Sequence, residues 1–139
     1  MNADIEKIFK WAEEAFQKRN YDYARDMFLQ VIALDPNNPD ARKLLWATNS
    51  KKHAELGAPS KIKIGFLQAK ITTQFTILKS KPDKAAEIAQ QYLNDDPSNV
   101  RIRSFLAENL YSLGHTGGAI AELQIAKEVD ADNFGVMKL

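Results

Sequence analysis

The sequence contains no cysteine. Disulfides, thiolate nucleophiles and thiolate metal ligands are therefore excluded, and a reducing compartment is compatible with the composition. Histidine is nearly absent too: His53 and His115 fall in separate segments with no repeated carboxylate spacing beside them. A metal site needs three or four converging ligands, so both are expected to be solvated surface residues. No metal or other cofactor is expected. No stretch approaches the roughly 18 apolar residues of a membrane span. Residues 1–20 carry charges throughout, so no signal peptide is expected. A cytoplasmic protein, or the soluble part of a longer one, is the expectation that follows.

A large excess of one charge is also missing, the formal net charge being +1. Basic residues interleaved with aromatics, which would favour single-stranded nucleic acid, do not occur, and nucleic acid is disfavoured as a partner. Catalytic patterns are missing as well. "GHTGG" at 114–118 has neither the preceding strand nor the following Lys-Ser/Thr of a phosphate loop, and is expected to be an interhelical turn. Glu13-Glu14 and Asp95-Asp96 are adjacent acids, and neighbours on a helix point apart. No Ser–His–Asp arrangement can be assembled, so no enzyme chemistry is expected.

What the sequence does have is helical periodicity with strong punctuation. Ile5, Ile8, Trp11, Ala12 and Ala15 share one face of a helix over 3–18, and Ala24, Met27, Phe28, Val31, Ile32 and Leu34 share one over 21–34. Asn20 is a candidate cap for the second. In "ALDPNNPDA" (33–41), Asp35-Pro36 stops that helix and Asn38-Pro39 starts another, as N-cap and first helical residue. So short a link makes the two helices antiparallel neighbours. Further helices are predicted over 39–55, 61–79, 83–94, 99–112 and 117–129. The fourth is rich in β-branched residues, which lower helix propensity, but it is long for a strand and has no partner strand. Gly65, Ala69, Thr72, Thr73 and Thr76 make a small-residue stripe on it that would admit a close neighbour. Ser80 is a plausible cap for the helix after it.

The punctuation repeats. Asp-Pro at 35–36 returns at 96–97, and Asp130-Ala131 is a third counterpart. The small residues Ala24, Ala85 and Ala119 keep the same steps of 61 and 34 residues. A 34-residue step marks a helix–turn–helix repeat array. The 61 holds one such period plus about one extra helix.

"NYDYARDMFLQVIALDPNNPDA" resembles the second half of a tetratricopeptide repeat, through Tyr21, Ala24, Phe28 and Pro36. "FLAENLYSLGHTGGAIAELQIAKEVDADN" is a second match, through Leu106, Ala107, Gly114, Ala119, Leu123 and Ala126, with Ala131 where the family has proline. "FLQAKITTQFTILKSKPDKAAEIAQQYLNDDPSN" is a fainter third. The resemblance implies an all-α fold, a right-handed α-solenoid of antiparallel helix pairs in a single domain. Its repeats would span about 5–38, 66–99 and 100–133, with an irregular or inserted helix at 39–55 and Trp46 where a small residue is usual. Residues 132–139 would begin a further helix or form a tail. Each pair has more apolar surface than it can hide alone, so neighbours stack.

The resemblance also implies a job, protein–protein interaction without catalysis, in which a peptide or helix lies in a concave groove lined by the first helix of each repeat. Carried over position by position, the groove would comprise Glu6, Phe9, Glu13 and Phe16, then Leu67, Lys70, Gln74 and Ile77, then Arg101, Ser104, Glu108 and Tyr111. Phe9, Phe16 and Tyr111 would be aromatic anchors, although Phe9 and Phe16 could equally pack against a neighbouring helix. The family's clamp for acidic C-terminal peptides needs Lys and Asn where this sequence has Phe9 and Glu13, so that peptide class is not an expected ligand.

Charge is unevenly distributed. Residues 42–84 hold 10 Lys/Arg against 2 Asp/Glu, between two acidic flanks. Lys51, Lys52, Lys61, Lys63, Lys79, Lys81 and Lys84 form a candidate basic patch for an acidic partner, a membrane surface or nucleic acid; a solvated face balanced by the flanks is the plainer alternative. Two other readings stand beside groove binding: a homo-oligomer using an open C-terminal face, and a non-catalytic domain of a larger enzyme or membrane complex.

Overall fold

A computed structural model describes residues 2–135, the last four of them by backbone alone. Within it are seven helices: α1 (Ala3–Gln17), α2 (Tyr21–Leu34), α3 (Pro39–Leu56), α4 (Lys61–Leu78), α5 (Pro82–Asp95), α6 (Val100–Ser112) and α7 (Thr116–Gly135). No strand occurs among the described residues, and 61–78 is helical despite its β-branched content. Tertiary contact and a Ser60 cap, whose Oγ accepts from the Lys63 amide at 3.2 Å, outweigh the weak propensity penalty.

The punctuation works as its chemistry demands. Asn38 Oδ1 accepts from the Ala41 amide at 3.0 Å and Pro39 opens α3. Asn99 does the same for Ile102 at 2.9 Å. Both asparagines also donate to the aspartate three residues earlier, Asn38 to Asp35 and Asn99 to Asp96. Two expected caps differ. Asn20 stands at the N-cap of α2 but makes no side-chain cap bond. Lys81, not Ser80, holds the N-cap of α5, and the Ser80 hydroxyl donates back to the Ile77 carbonyl. The turn predicted at Asp130-Ala131 is also absent: α7 runs through it to Gly135. Alanine keeps its N–H and does not clash with the preceding turn, so nothing there stops a helix as proline stops α2 and α5. Residues 136–139, the end of the segment expected to start another helix, lie outside the described residues.

Small residues set the helix spacing. Ala24 and Ala85 are fully buried and Ala119 nearly so. One core gathers Ile5, Ala12, Ala15, Ala24, Phe28 and Val31 from α1 and α2 with Leu45 of α3. A second gathers Ile71, Ala89, Leu93, Ile102, Leu106 and Ala119 from α4 to α7.

The 61-residue step proves to be a whole structural unit. Adding 61 carries the start of α2 to that of α5 and the start of α3 to that of α6. The helix at 39–56 thus stands where α6 stands in the second unit. Stacking, however, does not follow chain order. α3 packs on α2 and on α7, and has no extended contact with α4. The last helix is wedged between α3 and α6. Gly117 and Gly118 permit this, because α7 begins against the Pro36–Asn38 turn. A Cβ on Gly118 would lie 2.5 Å from the Pro36 carbonyl oxygen, and one on Gly117 3.1 Å from Asn37 Cβ. The Gly118 amide donates to Asn37 Oδ1 at 2.9 Å. "GHTGG" is therefore a turn only at its start; its last two residues are a docking surface.

The wedge closes around a charge. Glu122 of α7 is 1 % exposed. Its Oε2 accepts from Arg42 Nη1 at 3.0 Å and its Oε1 from Arg103 Nη1 at 2.6 Å. Both arginines are buried and sit at the same repeat position, six residues after Pro36 and Pro97. Each also donates to that proline's carbonyl, Arg42 at 2.8 Å and Arg103 at 2.7 Å. Gln90 of α5 accepts from Arg42 as well. One carboxylate thereby joins two equivalent turns.

Candidate interaction surfaces

The nominated groove residues do not form one continuous wall. On α1, Glu6 and Glu13 are exposed, while Phe9 and Phe16 are half-buried. Phe9 meets Phe28 edge-on with centroids 5.7 Å apart, and Phe16 meets Tyr21 at 6.1 Å. Lys51 Nζ lies 5.7 Å from the Phe16 ring. Both phenylalanines are thus engaged with their neighbours. On α4, Leu67, Lys70 and Gln74 line a depression against α5 with Ile71, Ile88 and Tyr92, whereas Ile77 is 67 % exposed. On α6, Arg101 stacks over Phe75 at 5.5 Å. Ser104, Glu108 and Tyr111 line an apolar cleft of about 520 Å³, completed by Ala119, Ile120 and Leu123 of α7. Tyr111 is 68 % exposed, and Ile120 and Leu123 about half.

A second cleft of about 520 Å³, between α1 and α2, was not visible in the sequence. Trp11 and Tyr23 flank it with Glu14 and Lys18. In a helical pattern Trp11 looks like a core residue; here it is half-exposed beside Lys7 Nζ, 5.9 Å from its ring.

The basic residues fall into two groups on elements that do not pack along each other. Lys51 and Lys52 lie on α3, and Lys52 binds Asp22 of α2 at 2.6 Å. That ammonium, first as a hydrogen-bond donor and then as a charge, holds the Asp22 carboxyl below the usual carboxylate range. Lys61, Lys63, Lys79, Lys81 and Lys84 are exposed on α4, α5 and their link, with Lys63 3.9 Å from Asp95. The histidines are half-buried rather than fully solvated. Burial, then Lys52, lowers the His53 pKa. Burial, then its hydrogen bond to Asp96, pushes Tyr92 up to about 12.

Among the described residues, no helix packs on the stripe of α4. Gly65, Ala69, Thr72, Thr73 and Thr76 are all exposed, and nothing lies within 4 Å of where a Gly65 Cβ would be. The turn that follows α4 also differs from those after α1 and α6. α1 and α6 both close with a left-handed residue, Arg19 (φ 61°) and Gly114 (φ 82°). In each case the next amide reaches back five residues, Asn20 to Ala15 and His115 to Leu110, the double-bonded helix end that folds one helix along the next. α4 has no such residue: Lys79 stays right-handed and Lys81 bonds only to Leu78. α4 meets α5 less extensively than α1 meets α2.

Among the described residues, no group of three or more His, Asp or Glu side chains converges as a metal site, and no helix is long and apolar enough to cross a membrane.

The geometry defines an all-helical repeat protein. Residues 77–136, spanning α5 to α7, match the tetratricopeptide repeat family model, so this part of the chain is similar to tetratricopeptide repeats. No curated protein matches it. Repeats of this family generally mediate protein–protein interaction and typically act as non-catalytic scaffolds.

Proposed function

We propose that the chain is an interaction or assembly module that binds a peptide or helix of another protein along the first helices of its repeats, without chemistry. One observation carries this reading: the α6–α7 cleft, walled by Tyr111, Ile120 and Leu123, all half-exposed or more. Large apolar side chains around a concave surface, with the polar groups of Ser104 and Glu108 at its edge, are the usual make-up of a binding hot spot. Phe9 and Phe16 do not serve as test positions, since both help to pack α1. Tyr111→Ala with Leu123→Ala is the better variant, because both side chains face solvent and the fold is expected to survive. Proteins retained from lysate by the wild type are expected to be lost from the double variant at an unchanged melting temperature. Retention of the same proteins would refute groove binding at this cleft.

A further inference from the structure

We propose that the outward face of α4 docks an acidic amphipathic helix from a partner protein. This surface lies opposite the depression lined by Leu67 and Gln74, and goes beyond the cleft proposed above.

The face is defined by comparison within the chain. α1 packs on α2 through Ile5, Ile8, Phe9, Ala12, Ala15 and Phe16. Sixty-one residues on, the same positions of α4 are Phe66, Ala69, Lys70, Thr73, Thr76 and Ile77, and every one is exposed. α4 packs on the second core through a different face, Leu67, Ile71, Phe75 and Leu78, and among the described residues these other positions are left open. Ile62, Phe66 and Ile77 are 67–75 % exposed, and the one charge among the face positions is Lys70 at its edge. A solvent-facing helix normally carries its charges on that side. Arg101 of α6 overhangs the strip and forms a shallow depression with Gly65, Gln68, Ala69, Thr72 and Thr73.

Charge selects the occupant. Residues 56–82 contain no acid, and Lys61, Lys63, Lys70, Lys79 and Lys81 border the face or continue beyond its end. A helix flanked by Asp and Glu would meet opposite charge along its whole length. A second copy of α4 would bring the same lysines against these and be repelled. A lipid surface would accept the lysines, but membrane-lying helices insert a bulky apolar stripe, and the centre of this strip is Gly, Ala and Thr. Small side chains instead let a helix axis approach to the ~8 Å end of the packing range.

The probe is a labelled synthetic helix matching the 18 residues of α4 in length, with leucine and alanine on one stripe and glutamate elsewhere. A control peptide replaces glutamate with lysine. Fluorescence anisotropy is expected to show saturable binding of the acidic peptide, weakened at least about tenfold by Thr73→Glu or Ala69→Glu and by added salt. Both substitutions lie on exposed positions, so circular dichroism should show unchanged melting. Lys63→Glu with Lys70→Glu is expected to reverse the preference toward the lysine peptide. The proposal is overturned if the acidic peptide does not bind, if both peptides bind equally, or if none of the substitutions matters. It is overturned equally if phosphatidylserine vesicles sediment the chain through this face, or if sedimentation equilibrium shows a dimer that Thr73→Glu dissolves.

Discussion

Removing the Glu122 carboxylate tests the architecture most directly. Glu122→Leu is close in volume and leaves Arg42 and Arg103 buried without their anion; these are 2 % and 3 % exposed. Breaking a buried pair by deleting one partner costs about 3–5 kcal/mol, and here one deletion breaks two pairs, of 3.0 and 2.6 Å. A loss of about 5 kcal/mol is therefore expected, which consumes much of the roughly 5–15 kcal/mol stability of an ordinary domain. In a thermal melt followed by far-ultraviolet circular dichroism, that loss lowers the midpoint by roughly 10–20 °C. Replacing all three residues together, Arg42→Met, Arg103→Met and Glu122→Leu, should restore most of the loss, since apolar packing often equals a buried ion network. A Glu122→Leu midpoint within roughly 3 °C of wild type would sink the claim that this carboxylate holds the two units together.

The two buried alanines offer a simpler check: Ala24→Glu or Ala85→Glu places a charge at a position with no exposed surface, and a loss of several kcal/mol, about the cost of an unpaired buried charge, should appear in the same melt. Two glycine substitutions should move in opposite directions. Gly65→Ala, with open space around its Cβ, should stabilise α4 by about 0.5–1 kcal/mol, while Gly118→Ala, whose Cβ would meet the Pro36 carbonyl, should destabilise by about 1–3 kcal/mol; equal effects would contradict the docking of α7 on the Asp-Pro turn. Stability should also fall in alkali through Tyr92. Its folded pKa, raised to about 12 from 10.0, means that the unfolded chain loses the proton first. The phenol's contribution is thus intact below pH 10 and lost as pH rises toward 12. Denaturant midpoints of Tyr92→Phe should decline less over that window, and a parallel decline would remove Tyr92 as the cause.

Much of this molecule is written locally. Asp35-Pro36 and Asn38-Pro39 place a stop and a start with no help from distant residues, because a missing N–H and a capping carbonyl act within one turn. Ala24, Ala85 and Ala119, each on the apolar face of its own helix, likewise mark burial, since a face that repeats every 3.6 residues must be covered. The tetratricopeptide pattern follows from these local signals. What α3 packs against could not be read the same way. Its contact with α7 joins Arg42 to Glu122 across 80 positions, and no local pattern links them. The one trace was the repeat itself: Arg42 and Arg103 occupy the same place after their prolines, and two buried cations require an anion somewhere. The exposed face of α4 was equally hidden. Its small residues promised a neighbour, yet among the described residues no helix packs on them. Arg19 adopts the left-handed region and the turn after α4 does not, although neither carries a glycine to announce it. Propensity acts over a few residues and is legible in sequence; the direction in which a helix leaves its turn is decided by the packing of the whole.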